Sequence, residues 1–210
     1  MKSHTLSRRC AYDRGYAQTT QFWSGRPGSL VQHLVEGLRV SPMSAVDLGC
    51  GEGANAQYLS ERGTRVLAID LSEIALDRAR QRPKTEQVTW KCADAMDIEV
   101  PVQSIDLVVG YGLLHCLRDR AECAELIRRA YDWLMPGGYV IAVCFNGRKH
   151  ERFSDAHPGF APLLLSHEEV RSLFHRFAVI YAEDADLVEI HPDLDVQHSH
   201  SLSKIIARKQ

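Results

Sequence analysis

Between residues 44 and 145, short apolar and β-branched runs alternate with segments of helical spacing. That alternation confines the fold to a parallel sheet whose strands are joined by crossover helices. Ser44 to Leu48 reads as a first strand and Ala54 to Arg62 as the helix after it. Arg65 to Ile69 is a second strand; Ser72 then serves as a candidate N-cap, with Glu73 in the first turn of a helix that reaches about Gln81 and stops at Pro83. Val88 to Lys91 and Ile105 to Gly110 read as strands three and four, separated by a polar loop carrying Asp94, Asp97 and Pro101. Asp119 caps a helix whose apolar residues Ala121, Ala124, Leu126, Ile127, Ala130 and Leu134 share one stripe, and Pro136-Gly137-Gly138 ends it. Tyr139 to Phe145 is a near-continuous apolar run, as in a strand covered on both faces.

After Phe145 the pattern changes to a polar loop from Asn146 to Pro158, a short helix beginning near Ser166, and two late strands at Ala178 to Ala182 and Leu202 to Ala207, with Asp193 to His200 as the loop between them. Ahead of the first strand, Gly28 to Leu38 has helical spacing, and the aromatic-rich stretch Tyr12 to Trp23 has no clear period. The 210 residues suffice for one sizeable core, and neither an internal repeat nor a Gly/Ser-rich linker divides them. The expected plan is a helical or lid-like segment over residues 1–43 and a ligand-binding domain over 44–210, together one structural domain.

Acids and bases are interleaved to a net charge of −2, so no basic face is available to neutralise a phosphate backbone, and nucleic acid is not expected as a partner. Met1 to Arg9 lack an apolar core with a cleavage site, and no apolar run approaches the roughly 20 residues of a membrane span. The expectation is a cytoplasmic protein with no membrane partner, a monomer or homodimer. Six scattered cysteines show neither zinc nor redox spacing and read as structural thiols. A metal could be imagined on His191, His198 and His200, but no carboxylate or thiol partner is fixed by spacing, so a polar hairpin is the preferred reading and no metal is expected.

Asp47-Leu48-Gly49-Cys50-Gly51-Glu52-Gly53 lies where a strand feeds a helix, a place where glycines let the backbone turn sharply and approach a ligand. The spacing by itself is ambiguous, because Gly49, Gly51 and Ala54 also satisfy a G-x-G-x-x-A dinucleotide fingerprint. Three acids sharpen it. Asp70 ends the second strand, where a carboxylate can accept from both ribose hydroxyls, a role equally suited to NAD. Asp94 follows the third strand, where an adenine edge would lie if the ribose were on Asp70. Asp47 would sit poorly against a pyrophosphate and suits an ammonium.

With these residues in place, the chain resembles the class I S-adenosylmethionine-dependent methyltransferases, closely over residues 44–145 and in outline elsewhere. The resemblance implies a Rossmann-like, doubly wound α/β fold with a seven-stranded sheet, mostly parallel with the last strand antiparallel, helices on both faces and an amino-terminal helical lid. It implies that Asp47, Gly49, Gly51 and Gly53 hold the methionine part of S-adenosylmethionine, that Asp70 with the following Leu71 holds the ribose, and that Asp94, Ala95 and Met96 read the adenine. Ile105 to His115 is similar to the family's fourth-strand motif, whose loop lies beside the transferred methyl and includes Tyr111; Leu134-Met135-Pro136-Gly137-Gly138 is similar to its turn before the fifth strand.

The implied reaction is direct displacement, with the cofactor supplying the reactive carbon and S-adenosylhomocysteine as product. A general base is optional; His115 is the first candidate, weighed against a histidine that packs beneath the next helix. Tyr16 and Trp23 are expected to cover the cofactor, whereas Tyr12, Arg26, His115, His150 and His157 are expected to line the acceptor site. The acceptor is read as a small organic oxygen or nitrogen nucleophile, with a thiol or metalloid oxyanion as the alternative. A non-catalytic cofactor-binding module and an NAD-dependent oxidoreductase are the rival classes.

Overall fold

A computed structural model of the chain describes residues 12–17, 25–151, 161–191 and 196–210. The first described stretch, residues 12–17, is a short helix, α1. Helix α2 (Ser29–Gln32) continues as a wider π-turn over His33–Gly37, so the predicted helix is present but does not keep α geometry throughout. Then follow β1 (Ser44–Leu48), α3 (Ala54–Ser60), β2 (Arg65–Asp70), α4 (Glu73–Arg80), β3 (Val88–Cys92), β4 (Ile105–Tyr111), α5 (Arg120–Trp133), β5 (Leu134–Glu151), α6 (His167–Ser172), β6 (Phe177–His191) and β7 (Val196–Lys209).

The strands form one seven-stranded sheet in the order β3-β2-β1-β4-β5-β7-β6. β1 pairs in parallel with both β2 and β4, and β7 runs antiparallel to its neighbours β5 and β6. The chain winds outward from β1 through β3, returns to β4 on the other side of β1, and so creates a switch point between β1 and β4. Ligands in open α/β sheets bind at the carboxyl ends of the strands flanking such a point.

The alternation of side chains along the central strands fills two cores, one per sheet face. Val46, Leu48 and Val108 pack with Leu126, Ile127, Ala130 and Trp133 of α5 and with Phe174 just beyond α6. Ala45, Leu107 and Val109 pack with Val31 of α2, Leu59 of α3 and Leu76 of α4. Helix starts follow the sequence signals. Ser72 Oγ accepts from Ala75 N–H, Asp119 accepts from Glu122 N–H, and Ser166 and Glu169 form a reciprocal capping box at α6.

The carboxyl third departs from expectation. Asn146 to Glu151 belong to β5 rather than to a loop, and Val196 to His200 belong to β7 rather than to the connection. Cross-strand pairing explains why polar residues remain extended there: Lys204 Nζ donates to Glu183 at 3.1 Å, and Arg148 bridges Asp184 at 2.9 Å and Asp186 at 2.6 Å. After a register shift, His150 pairs with His200 and Glu151 with Ser199. The three strands therefore run on as a ribbon beyond the end of β4.

Candidate active site

At the end of β1 the chain turns through Gly49, Gly51 and Gly53, all at positive φ (66°, 53° and 81°). Gly53 is the left-handed N-cap of α3, and a Cβ placed there would come within 2.5 Å of the Trp90 ring and 2.9 Å of Ala79 Cβ. The turn thus requires a residue with neither a side chain nor a left-handed penalty. Asp70, at the tip of β2, fixes the turn from the side. Its Oδ2 accepts from Gly51 N–H at 2.8 Å and its Oδ1 from Ser72 N–H at 2.9 Å. Each oxygen keeps acceptor capacity, as a carboxylate offers about four lone-pair directions. Burial pushes the Asp70 carboxyl above its ordinary range, and the N–H donors of Ser72, Gly51 and Leu71 pull it partly back.

Asp47 is the outlier of the site. It is almost fully buried at the end of β1, and neither of its carboxylate oxygens has a hydrogen-bond partner among the described residues. Burial, reinforced by the negative charge of Asp70, raises its pKa to about 7; the Ala56 N–H opposes the shift without making a hydrogen bond. A buried acceptor left unmet costs about 1–3 kcal/mol, and more when charged, so an unmet carboxylate at a binding turn is a group awaiting a cation.

The third acid closes the site along the sheet edge. Ala93 N–H donates to Asp70 O at 3.0 Å, so the chain leaving β3 is tied to the end of β2. Asp94 is buried, with its Oδ1 accepting from Met96 N–H at 3.0 Å; Ala95 is buried beside it, and Leu71 and Met96 are half-buried.

Across the switch point, the Tyr111 ring packs where a Cβ on Gly28 would stand, 2.2 Å from that position, and its hydroxyl lies 3.5 Å from Ser29 Oγ. Gly28 N–H is held by Asn55 Oδ1 at 2.7 Å. Helix α1 lies over the ends of β2 and β4. Tyr12 Oη meets Cys116 Sγ at 2.7 Å, Ser72 Oγ donates to Asp13 at 2.5 Å, and Tyr16 is buried. Burial first, and contact with Cys116 second, raise the Tyr12 phenol well above its usual range, with Asp70 close enough to contribute.

His115 follows β4 in a short 3-10 turn and is buried against Phe145, ring centroids 4.1 Å apart. Its Nδ1 accepts from the Phe145 N–H at 3.1 Å. That bond occupies the Nδ1 lone pair, so this nitrogen has none left for an acceptor's proton. Phe145 in turn packs on the buried ring of His200, at 4.4 Å. Arg26 is exposed. Trp23, His157 and the side chain of His150 lie outside the described residues, as do the side chains of His191 and His198.

The structure thus brings together Asp47, the three glycines, Asp70, Leu71 and Asp94, with α1 above them. Asp13, Glu52, Asn55, Arg78, Arg82 and Phe145 were not singled out from the sequence, and His200 was weighed only as a metal ligand. For Asn55 and Asp13 the polar partners stand 27 and 59 residues away, and no local spacing signals such pairs. Asp106, near the start of β4, ties that strand to β1, its Oδ2 accepting from Met43 N–H, Ser44 N–H and Ser44 Oγ.

A ligand with an ammonium at one end, a ribose diol in the middle and an adenine at the other meets all three acids. S-adenosylmethionine is such a ligand, and the fold and the three acids are similar to those of the class I S-adenosylmethionine-dependent methyltransferases. The family described as "Methyltransferase domain" matches residues 45–138. An uncharacterized methyltransferase of Mycobacterium bovis is 33% identical over 100 residues, covering 48% of this chain and 49% of that protein, so the chain spans about half the length of this relative. Nodulation protein S of Sinorhizobium fredii is 28% identical over 141 residues, 65% of each chain. The crystal structure of the N-methyltransferase NodS from Bradyrhizobium japonicum, in complex with S-adenosylhomocysteine, superposes with a TM-score of 0.69 at 17% identity, covering 97% of this chain and 98% of that one; at that identity the likeness concerns the fold. No helix among the described residues is long and apolar enough to cross a membrane.

Proposed function

We propose that the protein transfers a methyl group from S-adenosylmethionine to a nitrogen or oxygen of a small organic molecule in the cytoplasm. The observation that carries the reading is Asp47. A buried carboxylate without a partner, beside a glycine turn and 23 residues before a second site carboxylate, suits a cationic amino acid and would repel a pyrophosphate. Likeness to an N-methyltransferase supports a nitrogen acceptor. The described cysteines, all free thiols, suit a reducing compartment.

When bound, the cofactor supplies the methyl carbon and its sulfonium leaving group. The chain supplies the rest. Asp47 holds the ammonium, Asp70 the ribose hydroxyls, Asp94 the adenine edge, and Gly49, Gly51 and Gly53 let the backbone approach. Tyr16 and Tyr12 exclude water from above. The acceptor site lies beyond β4, between Tyr111, His115 and the ribbon of β5 and β7. Alignment of nucleophile and carbon accounts for most of the rate, as effective molarities of about 10⁵ to 10⁸ M are within reach of positioning alone. His115 acts there by setting the Phe145 wall.

Calorimetry with S-adenosylmethionine, S-adenosylhomocysteine and NAD, on wild type and on Gly51→Arg and Asp70→Ala, tests the cofactor site. Micromolar binding of the first two, weakened in both variants, supports it; binding of NAD alone overturns it. A screen of small amines, phenols, thiols and metalloid oxyanions for release of S-adenosylhomocysteine then tests the acceptor. Turnover confined to thiols or oxyanions overturns that part, and tight cofactor binding without any turnover points to a non-catalytic module.

A further inference from the structure

Glu52, the residue between the second and third glycines of the turn, is buried, which is costly for a carboxylate unless it is paired. Two arginines of the α4 region hold it, and each of them also holds the amino-terminal chain. Arg78 donates through Nη1 to Glu52 Oε1 at 2.9 Å and through Nη2 to the carbonyl of Tyr16, at the carboxyl end of α1. Arg82, one helical turn on, donates through Nε to the Glu52 carbonyl at 2.6 Å and through Nη2 to the carbonyl of Gly25 at 3.2 Å; its Nη1 binds Gln57 Oε1 at 2.6 Å. The planar guanidinium suits such double attachment, since its donors point in fixed, divergent directions.

We propose that Arg78 and Arg82 are positioning residues that fasten residues 12–17 and 25–28 to the glycine turn through Glu52, so that cofactor binding and the protection of these two stretches form one coupled equilibrium. The proposal rests on the cofactor site described above. The division of labour is specific. Arg78 governs residues 12–17, which carry Tyr12 and Tyr16, and Arg82 governs residues 25–28, which pack on Tyr111 through Gly28. A ligand that stiffens the turn around Glu52 tightens both attachments, and by reciprocity each attachment strengthens binding at the turn.

Hydrogen exchange followed by mass spectrometry tests this on the full chain, with and without S-adenosylhomocysteine, in wild type, Arg78→Met, Arg82→Met and Arg78→Lys. Methionine keeps an apolar stem of similar length and removes the donors. Without ligand, Arg78→Met is expected to raise exchange over residues 12–17 by about tenfold and leave 25–28 unchanged, with Arg82→Met doing the reverse; tenfold is the order expected for one lost charge-assisted hydrogen bond. Arg78→Lys, which can keep one attachment, restores part of the protection. Ligand slows exchange in both stretches of wild type and only in the still-fastened stretch of each variant. Equal exchange in wild type and variants, or a uniform rise over the whole chain together with a fallen Tm, overturns the assignment. Calorimetry on the wild type separates the two levels. Absence of S-adenosylhomocysteine binding overturns the cofactor reading and with it the coupling, while the ligand-free exchange pattern still decides the fastening.

Discussion

The two halves of the sheet build their ligand surfaces in different ways. On the side of β1, β2 and β3, the site consists of backbone turns and of carboxylates at strand tips: the glycines at positive φ, Asp47, Asp70 and Asp94. On the side of β4, β5 and β7, it consists of side chains brought together by register, such as Phe145 between His115 and His200, residues 30 and 55 positions away in the sequence. A cofactor shared by many enzymes is met by features that a short stretch of chain can specify. The surface proposed for the acceptor exists only once distant strands have paired.

Substitutions in the two halves should therefore separate cofactor affinity from acceptor-side stability. The largest effect is expected at Asp70→Ala, which removes the proposed acceptor of the ribose hydroxyls and frees Gly51 N–H and Ser72 N–H. S-adenosylhomocysteine affinity should fall by about 100-fold or more, from two charge-assisted hydrogen bonds of about 1.5–3 kcal/mol each, measured by calorimetry. A loss of similar size from a substitution beyond β5 would break the comparison.

A matched pair of glycines sharpens it. Gly53 and Gly112 have nearly the same φ, 81° and 84°, but the first is hemmed in by Trp90 and Ala79, while around the second no described atom lies within 4 Å of where a Cβ would stand. Gly53→Ala should cost about 2–4 kcal/mol, the sum of left-handed strain and overpacking, and Gly112→Ala about 1 kcal/mol, from strain alone; urea unfolding reads both.

At Asp47, stability and binding should move in opposite directions. The folded-state pKa, about 7, exceeds the ordinary 3.8, so folded protein holds a proton that the unfolded chain releases. Its contribution is intact below pH about 4, is lost as pH rises, and leaves the full penalty above pH about 7. Asp47→Asn should accordingly stabilise the ligand-free protein at pH 8 by about 1–3 kcal/mol, leave it unchanged at pH 4, and weaken S-adenosylhomocysteine binding about tenfold or more. The smallest effect is expected at His115→Phe. It keeps the stack but strands the Phe145 N–H, for about 1–2 kcal/mol of stability, with cofactor affinity held within about threefold and no new inflection in the pH–rate profile.

What the sequence made legible follows the same division. The alternation through residue 145, the caps at Ser72 and Asp119 and the glycine turn depend on neighbours a few residues apart, and the structure keeps them closely, except that β5 begins at Leu134 rather than Tyr139 and takes in Pro136-Gly137-Gly138. Beyond Phe145 the polar residues read as loops, because period-two patterning is weak when strands are stabilised by cross-strand charges such as Arg148 with Asp184 rather than by a buried face. The arginines on Glu52 were invisible for a related reason: Arg78 lies 26 residues from its carboxylate partner, on another element.

On the proposed reading, with Asp47 as the partner of the cofactor's ammonium, loading of the site becomes an exchange of ions. An acid with a pKa near 7 is half protonated in neutral solution, and a bound ammonium favours its ionised form, so a proton leaves as the cation arrives. Acidification then competes with the ligand, and below pH 7 affinity should decline by up to about tenfold per pH unit. The heat of binding should differ between phosphate and Tris buffers by the enthalpy with which each takes up the released proton. In that sense the protein trades one positive charge for another each time it refills.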